Sequence, residues 1–200
     1  MTSLIIALLG SYLIGSFPSG FLLVKWLKRV DLRTVGSGNI GATNVGRVAG
    51  IWASAVVFVM DAAKGGIAVF VIAPYVPPSP YPGAAFACGL AAVLGHMFPL
   101  FLSFKGGKGV ATTVGVLLSA MPLVGIIYLL VWAACLMLWR YVSVGSMAAA
   151  VSIPLVQLAL RRSAAETCLG LSLALLIVLR HGANIERLRQ GTEPRVGHRY

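Results

Sequence analysis

The feature that most constrains the fold is a series of long apolar runs, at residues 4–24, 51–71, 83–104, 141–160 and 164–179. Each run approaches or reaches the roughly 20 residues that a helix needs to cross a bilayer. The chain of 200 residues is 58% hydrophobic and only 10% charged, whereas soluble domains carry about 25% charged residues. Such a chain cannot cover a water-facing surface, so the sequence predicts an all-α integral membrane protein.

A sixth apolar run, residues 110–138, holds 29 uncharged residues and fits either one tilted helix or two short ones. Pro122 favours two, since proline is accepted in the first turn of a helix. With about seven helices, 13 of the 16 lysines and arginines fall on one side of the membrane. The positive-inside rule makes that side cytoplasmic, with the N-terminus outside, the C-terminus cytoplasmic and the uncharged loop 74–83 external. No linker divides the chain, so we expect a single membrane domain over residues 1–200.

The stretch GSGNIGATNVGR, residues 36–47, contains four glycines and no carboxylate. Glycines let backbone N–H groups approach an anion closely, and the next helix can present its N-terminus to it. The glycine spacing also matches a dinucleotide fingerprint, but no strand precedes it. A flexible capping loop is an equal alternative on composition alone. The polar side chains of the stretch are Ser37, Asn39, Thr43, Asn44 and Arg47.

The stretch GHMFPLFLSFKGGKGVATT, residues 95–113, places Lys105 and Lys108 on either side of a glycine pair. Two ammonium groups at the predicted start of a helix suit a phosphate. Gly109 follows Lys108 where a Walker A loop has serine or threonine, so the likeness to that loop is superficial. The alternative is a pair of snorkelling lysines. We expect His96 to pack near the end of its helix rather than to act as a base.

The stretch RHGANIERLRQGTE, residues 180–193, follows the last apolar run. His181 and Asn184 are three residues apart and share one helical face if the helix continues. His181 and Glu186 form H-x4-E, a near miss for a motif of soluble-domain acyltransferases that no other feature supports.

A few polar residues lie within the apolar runs. Asp61 and Lys64 have the spacing of a helical ion pair, which we interpret as structural. Ser143 and Ser146 can donate to a ligand or pack against a neighbouring helix, and the residues alone favour packing. The three cysteines form no CxxC pattern, so neither a disulfide framework nor a metal site is expected.

Taken in order, the three motifs resemble the bacterial membrane acyltransferases that transfer a fatty acyl group from acyl phosphate to glycerol 3-phosphate. The resemblance covers essentially the whole chain and implies a multi-pass protein of the bacterial plasma (inner) membrane with its active site on the cytoplasmic side. It implies lysophosphatidic acid and inorganic phosphate as products, in the first acylation step of phospholipid synthesis. No coenzyme A thioester or other cofactor is implied. Membrane lipid is an expected partner, and nucleic acid is not.

The resemblance also implies three sets of site residues. The acyl-phosphate pocket that it implies is Ser37, Gly38, Asn39, Gly41, Thr43 and Asn44. The glycerol 3-phosphate ligands that it implies are Arg47, Lys108, Ser146, His181 and Asn184. The catalytic residues that it implies are Ser37, Thr43, His181 and Asn184.

The chemistry of the residues agrees with this function. An acyl phosphate is already activated, and no serine lies in a G-x-S-x-G elbow, so a covalent acyl-enzyme is not expected. Positioning and electrostatic stabilisation can supply most of the acceleration. Two other functions remain as alternatives. An alcohol phosphotransferase needs metal-binding aspartates, of which the chain has only Asp31 and Asp61, and a membrane anion transporter typically shows internal repeats and broken helices near the midplane.

Overall fold

The computed structural model describes residues 1–76 and 83–197, so most of the predicted external loop 74–83 lies outside the described residues. The described residues form helices joined by loops and short turns and contain no β-strand, which confirms the all-α prediction. The chain divides into two compact units, Met1–Ala120 and Met121–Tyr200. The expectation of one membrane domain stays a prediction, and each unit is described by itself.

The described residues of the amino-terminal unit form six α-helices: α1 (Thr2–Gly15), α2 (Ser19–Lys28), α3 (Ala42–Ala49), α4 (Ile51–Ile67), α5 (Ala84–Met97) and α6 (Val110–Ala120). Small residues allow close packing of α1 against α5. A Cβ added at Gly15 would lie 2.0 Å from the backbone oxygen of Ala92, and one at Gly95 would lie 2.1 Å from that of Tyr12. Small-residue contacts of this kind are typical of helix packing within membranes.

Prolines interrupt two of the predicted spans. The first breaks between α1 and α2 next to Pro18, because proline lacks an N–H group and restricts the residue before it. The predicted span 83–104 corresponds to the membrane-length segment Ala84–Leu102. Its helix α5 ends at Met97, just before Pro99, and the chain continues through a 3-10 turn at Leu100–Leu102.

The carboxy-terminal unit, as far as residue 197, forms four α-helices: α7 (Pro122–Trp139), α8 (Val142–Ala159), α9 (Ala164–Arg180) and α10 (Gly182–Arg189). The predicted break in the run 110–138 is confirmed, because α6 ends at Ala120 and α7 begins with Pro122 in its first turn. A capping box between Ser163 and Glu166 starts α9.

Within residues 1–76 and 83–197, five apolar helical segments are long enough to cross a membrane, or six if the bent pair α9–α10 counts as one span. With its 11 residues, α6 is a shorter apolar helix. At 1.5 Å per residue it covers about 16 Å of a hydrocarbon core that is about 30 Å thick. Large apolar side chains such as Trp52 and Met137 remain exposed, as lipid-facing residues do. The count of seven spans and their orientation stay predictions.

Candidate active site

The first motif folds as a hydrogen-bonded loop followed by α3. At its centre is Asn44, which is 1% exposed. Its Oδ1 accepts from the N–H of Ser37 at 2.8 Å, and its Nδ2 donates to the carbonyl of Val35 at 3.0 Å. The side chain of Asn44 therefore shapes the loop from within. Its predicted contact with acyl phosphate stays a prediction.

Two glycines of this loop have left-handed backbone conformations, Gly36 with φ +61° and Gly38 with φ +69°. A Cβ at Gly36 would lie 2.2 Å from Asn44 Oδ1. Asn39 closes the loop at its other end, where its Oδ1 accepts from the N–H of Gly41 at 2.9 Å. Gly36, Asn39 and Asn44 therefore maintain the shape of the loop. The alternative of a flexible capping loop does not explain these contacts.

The outer side of the same motif offers anion-binding groups. Ser37, Thr43 and Arg47 are exposed. Thr43 and Arg47 are four residues apart and lie on one face of α3. Arg47 lies in the last turn of α3 and brings a positive charge to the face that carries the Thr43 hydroxyl. This arrangement suits a phosphate.

The shape of the loop can be tested with a matched pair of glycine variants. Gly36→Ala is expected to raise the KM for the donor substrate, because the new Cβ displaces Asn44 in addition to straining the backbone. Gly83→Ala is the control, since Gly83 is also left-handed, with φ +87° and ψ 10°, but has nothing within 4 Å of its added Cβ. Backbone strain alone costs roughly 1–2 kcal/mol in either variant. Equal donor KM values for the two variants, measured by steady-state kinetics, would contradict a specific role for the Gly36–Asn44 contact.

The second motif places Lys108 two residues before α6, near the helix start that the sequence predicts. Lys108 is half-buried, Lys105 is exposed, and the glycine pair between them is buried. The N–H of Gly107 donates to the carbonyl of His96 at 3.0 Å. As expected, His96 packs in the last turn of its helix, α5. The turn before Lys108 is therefore attached to the end of α5.

The third motif bends at His181. The helices α9 and α10 meet there at 55°, so the condition for a shared face of His181 and Asn184, a continuing helix, is not met. His181 is 2% exposed and its Nδ1 lies 2.7 Å from the carbonyl oxygen of Ile177. Because a carbonyl can only accept, Nδ1 carries the hydrogen, and the lone pair of the neutral ring is at Nε2.

Glu193 lies beside the predicted site residue Asn184 and was not itself predicted as part of the site. Its Oε1 accepts from Ser143 Oγ at 2.6 Å and from Asn184 Nδ2 at 2.7 Å, and its Oε2 accepts from Arg187 Nε at 2.8 Å. The carboxylate thereby joins α8, α10 and the segment after α10, and it orients Asn184. The only signal in the sequence was a carboxylate among several arginines.

The polar residues within the apolar runs have structural contacts. Ser146 Oγ donates to the carbonyl of Val142 in its own helix at 2.8 Å, and its contact with glycerol 3-phosphate stays a prediction. The predicted Asp61–Lys64 ion pair is confirmed, with 2.6 Å between Oδ1 and Nζ and both residues buried. Ser19 Oγ donates to the same carboxylate oxygen at 2.5 Å.

The Glu193 contacts predict a pH-dependent stability. Burial raises the pKa of Glu193, but hydrogen bonds from Ser143, Asn184 and Arg187 lower it by more, so the pKa lies below its ordinary value. The carboxylate therefore stabilises the fold above the unfolded-state pKa of about 4.3, and this contribution is lost as the pH falls through the lower folded-state pKa.

We expect Glu193→Gln to reduce the free energy of unfolding near pH 7 by about 1.5–3 kcal/mol, the contribution of hydrogen bonds to a charged group. The difference from the unsubstituted protein should shrink below about pH 4. Thermal unfolding in detergent at several pH values measures both effects. Glu186→Gln, at an exposed position of α10, is the control and should unfold much like the unsubstituted protein. A Glu193→Gln protein that is equally stable at pH 7 would refute this account of the contacts.

The apolar helices are long enough to cross a membrane, and two glycine loops carry positively charged side chains. Together these features indicate a membrane protein that binds phosphate-bearing substrates. The model of the glycerol-3-phosphate acyltransferase family matches residues 5–191. A glycerol-3-phosphate acyltransferase of Synechococcus elongatus is 43% identical over 97% of this chain and 94% of its own length. One of Geotalea daltonii is 43% identical over 96% of this chain and 97% of its own length.

Two crystal structures of PlsY (YgiH), an integral membrane glycerol 3-phosphate acyltransferase, are also similar. Its glycerol 3-phosphate form has a TM-score of 0.91 and 39% identity and covers 98% of this chain and 96% of that chain. Its lysophosphatidic acid form has a TM-score of 0.86 and 37% identity over the same shares. The chain belongs to the glycerol-3-phosphate acyltransferase family, which confirms the resemblance carried by the three motifs. It is a multi-pass membrane enzyme.

Proposed function

We propose that the protein transfers a fatty acyl group from acyl phosphate to glycerol 3-phosphate and releases lysophosphatidic acid and inorganic phosphate. The observation that carries the proposal is the similarity, over 98% of this chain, to an acyltransferase structure in its glycerol 3-phosphate form. The apolar helices provide surfaces for the acyl chain of the donor and of the product, which remains in the membrane. The glycine loops provide groups for the phosphates.

In this proposal the first motif binds the donor phosphate. Ser37 and Thr43 are exposed hydroxyls at the loop and at the first turn of α3. Helix N-termini carry N–H groups without intrahelical partners and favour anions. Gly38, Asn39 and Gly41 contribute the turns that bring backbone N–H groups close to the phosphate.

The acceptor is bound by the residues that the family resemblance implies. Arg47 and Lys108 neutralise the phosphate of glycerol 3-phosphate, and charge-assisted hydrogen bonds of this type are about twice as strong as neutral ones. His181, Asn184 and Ser146 orient its glycerol part. The hydrogen bond from Asn184 to Glu193 supports this role, because it fixes one end of the amide group.

The reaction replaces one C–O bond by another. The acceptor hydroxyl attacks the acyl carbonyl carbon, the bond from that carbon to the phosphate oxygen breaks, and the hydroxyl proton goes to the departing phosphate. The phosphate is anionic and adjacent to the reacting carbon, so it can accept the proton without a protein base. The protein then contributes positioning and stabilisation of the developing negative charge.

We further propose that the three motif loops face the cytoplasm in the bacterial plasma membrane. The asymmetry of lysines and arginines supports this orientation. Single cysteines introduced at Arg161 and Lys105, both exposed positions, test it in a background without the native cysteines. An impermeant thiol reagent added outside intact cells should label position 161 and should reach position 105 only after lysis. Labelling of position 105 from outside would overturn the topology.

The identity of the donor is tested with purified protein. Acyl phosphate with glycerol 3-phosphate should yield lysophosphatidic acid, and the matching acyl-CoA should yield none. Product formed from acyl-CoA at a comparable rate would refute the proposed donor. No product from either donor, in protein shown to be folded, would refute acyl transfer altogether.

A further inference from the structure

His96 occupies a buried position between a carboxylate and a glycine turn. It lies in the last turn of α5 and is 4% exposed. Its Nδ1 is 3.5 Å from Asp61 Oδ1, which is an electrostatic contact at the outer limit of hydrogen-bond distance. Its Nε2 is directed at Gly107, where an added Cβ would lie only 2.0 Å away. The imidazole thus fills the space between Asp61 and the turn before Lys108.

The carboxylate beside His96 is held firmly. Ser19 Oγ and Lys64 Nζ donate to the same Oδ1 of Asp61, at 2.5 and 2.6 Å. Lys64 also donates to the carbonyl of Phe17. Asp61 is 1% and Lys64 5% exposed. Because a buried charge is stable only when it is paired and hydrogen-bonded, this cluster has one favourable arrangement and fixes one side of the imidazole.

The backbone of His96 holds the same turn. The N–H of Gly107 donates to its carbonyl at 3.0 Å. A Cβ at Gly106 would lie 2.2 Å from that carbonyl oxygen. Main chain and side chain of His96 therefore enclose the glycine pair from two directions, and the next residue along the chain is Lys108.

We propose that His96, anchored by Asp61, is a positioning residue that fixes the backbone from which Lys108 reaches glycerol 3-phosphate. The inference rests on the proposed function of Lys108. A lysine is a point charge on a flexible stem, so its contribution to binding depends on where its backbone is held. A displacement of about 1 Å in a substrate-positioning group can cost about 10²-fold in rate.

The test measures glycerol 3-phosphate affinity by calorimetry, together with the KM for acyl phosphate, in purified full-length variants. His96→Ala is expected to weaken glycerol 3-phosphate binding roughly 10-fold or more and to leave the acyl phosphate KM unchanged. His96→Gln, whose amide group reaches the place of Nε2, should recover part of the loss. His96→Gln also allows the positioning role to be tested if the alanine variant does not fold.

A double-mutant cycle decides whether His96 acts through Lys108. In protein that already carries Lys108→Ala, His96→Ala should weaken binding no further, because the group that it positions is gone. Tyr12→Phe is the matched control: it removes the 2.6 Å hydrogen bond to the carbonyl of Phe98, next to the end of α5. It should lower the Tm and leave glycerol 3-phosphate affinity unchanged.

The outcomes separate this inference from the proposed function. If the losses of glycerol 3-phosphate affinity multiply in the double variant, His96 does not act through Lys108. If the acyl phosphate KM rises as much as the acceptor dissociation constant, the effect is not specific to the acceptor. Either result would overturn the positioning role and leave acyl transfer intact. If Tyr12→Phe loses as much glycerol 3-phosphate affinity as His96→Ala, any loosening of the end of α5 has the same effect. That result would also overturn the positioning role. If the unsubstituted protein shows no acyl transfer, that result would instead refute the function on which the inference rests.

Discussion

Replacement of Lys108 by alanine is expected to raise the KM for glycerol 3-phosphate by roughly tenfold to a hundredfold, or to abolish turnover, while the protein still folds. A lost charged hydrogen bond to phosphate costs about 1.5–3 kcal/mol, and each 1.36 kcal/mol corresponds to about a factor of ten. Lys108 is half-buried at the start of α6, where water screens its charge less than at an exposed site. Steady-state kinetics with the acceptor varied at saturating donor measure the effect.

Lys105→Ala is the matched control for charge. Lys105 has the same side chain on the other side of the glycine pair but is exposed. Its removal should change the acceptor KM only slightly. If both variants lose the same affinity, the effect comes from the general positive potential of the loop. Unchanged kinetics in well-folded Lys108→Ala protein would exclude Lys108 from the site.

Substitution of His181 by asparagine is expected to leave substantial activity with a flatter pH profile. The asparagine amide can replace the hydrogen bond from Nδ1 to the carbonyl of Ile177, which is 2.7 Å long in the structure, but it cannot accept a proton. If the departing phosphate takes the proton, the loss reflects positioning alone. A general base typically contributes about 10²–10⁴-fold.

The contrary result for His181 is equally specific. A loss of about three decades or more in the chemical step, at the high end for a lost general base, would make His181 the base. This conclusion requires that the variant is folded and still binds glycerol 3-phosphate. His181→Gln is a useful second variant, because its longer side chain brings an amide group toward the position of Nε2.

The features that could be predicted from the sequence are local ones. Pro122 marks the start of a helix because proline fits the first turn and disrupts later ones. Asp61 and Lys64 pair because three residues of helix place them on one face. Lys108 lies near a helix start because the long apolar run that forms the helix begins two residues after it. Each of these needs only a few neighbouring residues, and each is confirmed by the structure.

The features that escaped prediction depend on contacts between distant residues. Ser143 and Glu193 are 50 positions apart, and only the folded chain brings hydroxyl and carboxylate together. The chain bends by 55° at His181, where the sequence has no proline to mark a break. Asn44 looked like a substrate ligand, yet its amide is engaged by the backbone of its own loop. The substrate contacts of the site residues stay predictions, which the variants above address.

The most direct test of the central claim is a single-turnover experiment with acyl phosphate labelled in both its acyl and phosphate groups. When enzyme in excess meets the donor together with glycerol 3-phosphate, phosphate and lysophosphatidic acid should appear at the same rate and in equal amounts. With the acceptor omitted, neither a burst of phosphate nor acyl-labelled protein should form. A stoichiometric phosphate burst without acceptor, with the acyl label retained on the protein, would contradict direct transfer and establish a covalent acyl-enzyme.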